Sequence, residues 1–240
     1  MEQPDSNAIP GKGQTSVTAI IPAAGAGTRM GGAPKQYREL GGKPILEWTL
    51  AALSNEPSIT AVILAVPPDD VDRMGKKYLN SSVFPKVTRV VAGGAKRWQS
   101  VRNGVMAADT EYALIHDAAR PFTSGALIRG VVESAVAHGA ATAAVPAHDT
   151  VKTRDGERLG ALVDRATLLL IQTPQAFRRE LLLNAYEALK GNESDWTDET
   201  SLVQAAGFPV AWVPGESTNL KITTPEDFVV AQLLAGTRNS

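Results

Sequence analysis

Apolar and polar positions recur along this chain with two different periods, and the switch from one to the other marks out its elements. Short β-branched runs predict strands at Val17 to Ile21, Ala61 to Val66, Val87 to Val91, Ala113 to Ile115, Thr142 to Val145, Val210 to Val213 and Leu220 to Ile222. Between most of them, Pro44 to Leu53, Pro68 to Leu79, Arg97 to Ala107, Gly125 to His138 and Glu180 to Leu189 carry the spacing of amphipathic helices. Alternating strand and helix predicts an α/β fold, a mostly parallel sheet with helices on both faces. A last helix is marked by Thr224 as its cap, Pro225 at its first position, and Glu226 with Asp227 against its positive end.

One segment breaks the alternation. Residues 147 to 165 contain Asp155-Gly156 between two short runs that alternate charged and apolar side chains, which is a hairpin signal. It has little apolar surface to bury against a core, and an isolated hairpin is marginal in water. It reads either as an exposed ribbon or as an arm that a partner covers.

The first strand ends in Pro22-Ala23-Ala24-Gly25-Ala26-Gly27-Thr28-Arg29-Met30, followed by Pro34-Lys35-Gln36-Tyr37. Small residues let backbone N–H groups approach phosphate oxygens, and Arg29 and Lys35 add the charge that backbone lacks. Pro34 fixes its own φ and restricts Ala33, so Lys35 is presented from stiffened backbone. The dinucleotide fingerprint fails here, because Met30 stands where its third glycine belongs. The Walker pattern fails as well, because Lys35 is followed by Gln36. A tight strand-to-helix turn with surface cations is the plain reading; a polyphosphate loop is the functional one.

Other candidates fall at strand ends, where open α/β sheets bind ligands. Gly93-Gly94 follows the third strand and by itself reads as a turn. Arg97 and Ser100, at the start of the next helix, make it a candidate nucleotide contact, since a helix N-terminus favours an anion. Asp117 follows the fourth strand; such a residue serves as a cap, as an ion-pair partner to Arg120, or as a Mg²⁺ ligand beside phosphate. Three histidines, at 116, 138 and 148, are too scattered to assemble a metal site or a triad.

Composition narrows the class. With 24 basic and 25 acidic residues in 240 the net charge is −1, so an anion site has to be local, and a general nucleic-acid binder or polybasic membrane surface is disfavoured. There is no cysteine, hence no disulfide or thiolate metal site, and no 18-residue apolar run. Residues 1 to 16 are rich in Pro, Gly, Ser, Asn and Gln and read as a disordered tail of a cytoplasmic protein, ahead of one domain over 17 to 236.

Four motifs in one order then carry a resemblance. Ala-Ala-Gly-x-Gly-x-Arg-Met with Pro-Lys-Gln-Tyr, His116-Asp117-Ala118-Ala119-Arg120-Pro121, Thr173-Pro174-Gln175, and Leu220-Lys221-Ile222-Thr223 with Pro225-Glu226-Asp227 resemble the 2-C-methyl-D-erythritol 4-phosphate cytidylyltransferases of the non-mevalonate isoprenoid pathway. The motifs run from about residue 17 to about 235, nearly the whole chain.

The resemblance implies a three-layer Rossmann-like nucleotidyltransferase fold, with a mostly parallel mixed sheet and a protruding β-arm at about 147–165 through which two copies form a homodimer. It implies CTP among Ala23, Ala24, Gly25, Gly94, Arg97, Ser100 and Ala118, counts Gly27 and Arg120 among the substrate-binding residues as well, and puts Mg²⁺ on Asp117. The acceptor phosphate or hydroxyls would be gripped by Arg165, Thr150 and Thr197, the arm residues reaching across the dimer. Arg29, Lys35, Arg165 and Lys221 would be the catalytic cations. The chain departs from the family at Ala95, where an acidic residue is common, so one base or ribose contact loses its support. Two alternatives stand beside this reading. A ribitol 5-phosphate cytidylyltransferase would share the loop, but tends to read Ala-Gly-Gly at Ala23-Ala24-Gly25; a non-catalytic nucleotide-binding regulator would tolerate losing one of Arg29, Lys35, Asp117 and Lys221.

Overall fold

The computed structural model describes residues 15–25, 34–190 and 196–238. Strand β1 (Val17–Pro22) runs next to β4 (Ile59–Val66), and both are apolar along almost their whole length. Such runs suit strands covered on both faces. Their parallel ladder pairs Ile20 with Ile63 and Ile21 with Leu64. Between them lie two short strands, β2 (Glu39–Leu40) and β3 (Lys43–Pro44), and helix α1 (Ile45–Asn55). Helix α2 (Val71–Tyr78) leads to β5 (Val87–Ala92), and α3 (Arg97–Ala107) leads back to β6 (Tyr112–Ile115) on the other side of β1.

The second half follows with α4 (Gly125–His138), β7 (Ala140–Pro146), the hairpin β8 (Val151–Asp155) and β9 (Arg158–Val163), β10 (Leu169–Arg178), α5 (Arg179–Ala188), α6 (Glu199–Ala205), β11 (Ala211–Pro214) and α7 (Pro225–Arg238). Seven strands make one sheet in the order β11-β7-β10-β6-β1-β4-β5. Only β10 runs antiparallel to its neighbours, β6 and β7. One cluster of buried side chains packs α1 and α4 against the sheet, through Ile21, Leu50, Leu64, Ile128 and Val131. Another packs α3 and α5 through Ile20, Val101, Val105, Phe177 and Leu182.

Six predicted strands and all six predicted helices appear, with ends shifted by a few residues at most. The cap predicted for α7 is made, with the Asp227 N–H donating to Thr224 Oγ1 at 3.2 Å and Asp227 Oδ2 accepting from the Thr224 N–H at 2.9 Å. Gly156 turns the hairpin with φ 59°, a left-handed conformation that favours glycine.

The strand expected at Leu220 to Ile222 does not form. This segment runs beside the turn that follows β6, and its Ile222 N–H donates to the Ala119 carbonyl at 2.9 Å. No strand edge is free there, because β6 already has β1 on one side and β10 on the other. Strand β10 was not among the predicted strands, and a proline inside it is unusual for a strand with two neighbours. The structure accommodates it by interrupting one ladder: pairing with β7 breaks between Ile171 and Gln175, and pairing with β6 begins only at Gln175. Pro174 therefore sits where neither ladder needs an N–H. Helix α6 was also missed; its signal was Asp198, which accepts from the Ser201 N–H at 2.9 Å.

Candidate active site

The chain steps outward from β1 to β4 and β5, then returns to β6 on the opposite side of β1, so strand order reverses between β1 and β6. Their carboxyl ends, Ala23 to Gly25 and Asp117 to Ala119, open into a cavity of about 430 Å³. Lys35, Gln36, Gly94 to Arg97, Ser100 and Lys221 complete its wall. A second cavity of about 350 Å³ adjoins it, lined by Arg120, Gln172, Thr173, Gln175, Thr197, Asp198, Thr200 and Ser201 among others. Arg97, Asp117 and Lys221 line both.

Each wall is built from local constraints. The Ala23 N–H donates to the Ala65 carbonyl at 2.7 Å, which carries the β1 ladder one residue past the strand end. Gly93 allows the loops after β1 and β5 to touch, because a Cβ there would lie 2.4 Å from that of Ala24. Ser100 Oγ accepts from the Gly94 N–H at 3.0 Å and ties that loop to the first turn of α3.

Lys221 arrives from the other half of the sheet. Its segment is pinned by the Arg120 guanidinium, which donates to the Asn219 carbonyl at 2.7 Å, and by the Asn219 amide, which donates to the Thr173 carbonyl at 2.8 Å.

Asp117 is the centre of charge. Its Oδ1 accepts from Arg97 Nε at 3.0 Å, its Oδ2 lies 2.8 Å from Lys221 Nζ, and Arg120 Nε stands 3.8 Å from Oδ2. Burial alone would push this carboxyl up; Arg97, then Lys221, outweigh it and hold it well below the usual carboxylate range. Arg97 also donates from Nη1 to Glu199 Oε2 at 2.7 Å. The guanidinium thus bridges two carboxylates, a role the sequence reading did not give it. Among the described residues, no three His, Cys, Asp or Glu side chains come together as a metal-binding group.

His116, beneath the site, is fully buried, and burial pushes it down to about 4. Its Nε2 lies 3.1 Å from the Arg120 carbonyl, which only accepts, so Nε2 carries the proton of the neutral ring. Nδ1 then accepts from the Thr173 hydroxyl at 3.1 Å, and that hydroxyl oxygen accepts from the Asp117 N–H at 3.0 Å. Two successive residues of the strand-end turn are held by one directional chain.

Of the residues singled out from sequence, Ala23, Ala24, Gly25, Lys35, Gly94, Arg97, Ser100, Asp117, Ala118 and Lys221 share the first cavity, as does Ala95. Arg120 and Thr197 line the second. Gly27 and Arg29 lie outside the described residues. Thr150 and Arg165 line neither cavity and lie at the base of the hairpin, where the Arg165 guanidinium donates to the His148 carbonyl. Gln36, Gln172, Glu199 and Asn219, all buried, had no assigned role in the sequence reading. Only their tertiary partners reveal them.

The family model for 2-C-methyl-D-erythritol 4-phosphate cytidylyltransferase matches residues 17–236. The chain belongs to this family. A cytidylyltransferase of that name from Syntrophus aciditrophicus is 42% identical over 225 residues, covering 90% of this chain and 94% of that protein. The crystal structure of the cytidylyltransferase from Thermus thermophilus superposes with a TM-score of 0.76 at 37% identity, covering 92% of this chain and all of the other. That of 4-diphosphocytidyl-2C-methyl-D-erythritol synthase from Anaerococcus prevotii gives 0.80 at 33% identity, over 93% and 97% of the two chains.

Proposed function

We infer that this protein transfers CMP from CTP to 2-C-methyl-D-erythritol 4-phosphate, releasing pyrophosphate and forming 4-diphosphocytidyl-2-C-methyl-D-erythritol. The observation that carries this reading is the pair of cavities with one charged wall in common, Arg97, Asp117 and Lys221. A reaction between two phosphorylated substrates needs such a wall, because the difficulty is bringing one anion onto another.

The acceptor nucleophile is a phosphate monoester oxygen, already largely ionised at pH 7 because its second pKa is about 6. No protein base is required. In this reading CTP fills the first cavity, with its triphosphate toward the backbone after β1 and toward Lys35. The acceptor phosphate enters the second. Lys221, between the two, neutralises charge at the α-phosphate as the acceptor oxygen attacks and pyrophosphate leaves in line. Arg29 is assigned the same duty from its place in the motif. Thr197 holds the acceptor from within the second cavity.

Mg²⁺ belongs to the proposal as a companion of the triphosphate. Asp117 is a single ionised carboxylate whose two oxygens already face cations. That donor set suits a metal held chiefly by phosphate oxygens with one protein carboxylate, and does not suit a resident ion caged by protein. When bound, the ion supplies further neutralisation of phosphate charge, and Asp117 is the residue that would hold it.

We also propose a homodimer. The hairpin and the start of β10 expose Leu159, Leu162 and Leu170 at 79, 69 and 56%; apolar side chains this open on a narrow ribbon call for a covering surface. In such a dimer Thr150 and Arg165 of one copy would reach the acceptor cavity of the other, which accounts for their absence from the wall of the one in their own chain.

Turnover measured with CTP and Mg²⁺, once with 2-C-methyl-D-erythritol 4-phosphate and once with ribitol 5-phosphate, tests the reading. Pyrophosphate released only with the first supports it; release only with the second, or none with either, overturns it.

A further inference from the structure

Arg97 joins two carboxylates of different exposure. Asp117 faces both cavities, whereas Glu199, the first residue of α6, lines neither and has 1% of its side chain exposed. Glu199 Oε2 holds Arg97 Nη1 at 2.7 Å, and its other oxygen, Oε1, is buried with no hydrogen-bond partner among the described residues. Stability is a poor explanation for such a group. A buried ion pair does little better than an apolar pair of the same volume, and an unsatisfied buried oxygen adds a cost. What the pair provides is orientation. A guanidinium is planar with its donors in a fixed fork, so holding Nη1 also sets the direction of Nε, the donor that meets Asp117.

The competing partner for Arg97 is the nucleotide. Its guanidinium lines the first cavity, where the reading above puts a triphosphate, and a phosphate oxygen is as good an acceptor as a carboxylate. Without an anchor behind it, Arg97 would swing onto the phosphates and release Asp117 Oδ1. The Asp117 carboxylate would then be left to Lys221 and Arg120 alone.

We propose that Glu199 is a positioning residue for nucleotidyl transfer: from beneath the site it holds Arg97 on Asp117, and so keeps the Asp117 carboxylate and Lys221 aligned between the two cavities. This rests on the reading of the site as a nucleotidyltransferase centre. It assigns a function to a residue that touches neither substrate.

The test uses four full-length proteins: wild type, Glu199→Gln, Arg97→Met and the double variant. Wild-type turnover tests the reading of the site, and comparison of the four tests Glu199 alone. Two quantities are measured, kcat and, by calorimetry without metal, the Kd of CTP. A misaligned reacting group costs kcat, while loss of a nearby negative charge does not weaken binding of an anion. The expected result for Glu199→Gln is a fall in kcat of about ten-fold or more, with a CTP Kd that is unchanged or tighter. In the Arg97→Met background the same substitution should change kcat by less than about two-fold, because a residue acting only through Arg97 has nothing left to position.

A helix that merely needs Glu199 for packing would behave otherwise. CTP binding would weaken in step with kcat, or the two losses would multiply in the double variant; either result, or a wild-type kcat in Glu199→Gln, overturns the proposal. If Glu199→Gln does not fold, the comparison of Arg97→Met with the double variant decides alone, since the double variant leaves neither member of the pair as an unpaired buried charge. Equal kcat supports the proposal there, and a further loss overturns it.

Discussion

The side-chain amide of Gln36 donates to the carbonyl of Ala23 at 2.6 Å and also reaches that of Gly25 at 3.2 Å, closing a stitch in the wall of the first cavity. Gln36 is buried and follows Lys35 directly, so the residue that braces the loop after β1 and the cation proposed to face the nucleotide are set by the same short turn. Gln36→Glu should raise KM for CTP about ten-fold or more, because an acceptor facing two carbonyls costs about 1–3 kcal/mol of local stability. An unchanged KM in this variant would show that the stitch does not shape the nucleotide site.

Asp117→Asn keeps the shape of the side chain and removes the charge that three cations face. Turnover should fall by about 10² or more, as expected for loss of an electrostatic element of the transition state. CTP binding without metal should not weaken, since the variant site is more positive. Weakened binding with little loss of kcat would reverse the assignment.

Lys35 and Arg165 separate chemistry from grip. If Lys35 meets charge that develops as pyrophosphate leaves, Lys35→Ala lowers kcat by about 10², with a smaller change in KM for CTP. A tether that binds ground and transition states equally changes KM alone. Arg165→Lys should raise KM for the acceptor, because a point charge does not reproduce a planar two-point hold on phosphate. Steady-state kinetics with each substrate varied in turn distinguishes these cases.

The exposed arm carries the proposed dimer contact. Leu159→Glu together with Leu162→Glu should give a monomer in sedimentation with a folded spectrum, because both side chains are open in the single chain and contribute nothing to its core. Acceptor turnover should fall with the dimer while CTP binding persists. A variant that still sediments as a dimer places the interface elsewhere.

His116 makes stability depend on pH. Its folded value is lowered from 6.5 to about 4 by burial, so between those limits the unfolded chain takes up a proton that the folded chain refuses. Stability is therefore lost as pH falls through this window, by about 3 kcal/mol at roughly 1.4 kcal/mol for each pH unit. Glu199, pushed up by burial, contributes with the opposite sign in the same region. The contribution of His116 is isolated by the difference between wild type and His116→Asn in denaturant melts at pH 7 and pH 4.5. A difference that does not change with pH would falsify the neutral assignment.

Much of the sheet was legible because β-branched apolar runs and 3.6-residue spacing are local properties of the chain. The two runs with unmistakable composition, Val17 to Ile21 and Ala61 to Val66, became the adjacent strands β1 and β4. Leu220 to Ile222 has the same local character and forms no strand, because pairing requires a free edge and none lies beside it. Leu169–Arg178 is the converse case: it was not among the predicted strands, yet it pairs on both sides, with a break in the register with β7 accommodating Pro174.

By itself the sequence determined which residue types would gather at the site: the small residues from Ala23 to Gly25 and the carboxylate Asp117 after strands, and the cations Lys35 and Lys221 in the segments that face them. Their order carried the family, because four short motifs with defined chemistry rarely recur together by chance. Only the tertiary structure decided their partners. Arg97 and Glu199 are 102 residues apart in sequence and 2.7 Å apart in space, and Asp117 meets a lysine delivered from beyond β11. Charges separated by that much chain leave no periodic trace, since their contact depends on how β6, α3, α6 and the last loop converge and not on the residues beside each of them.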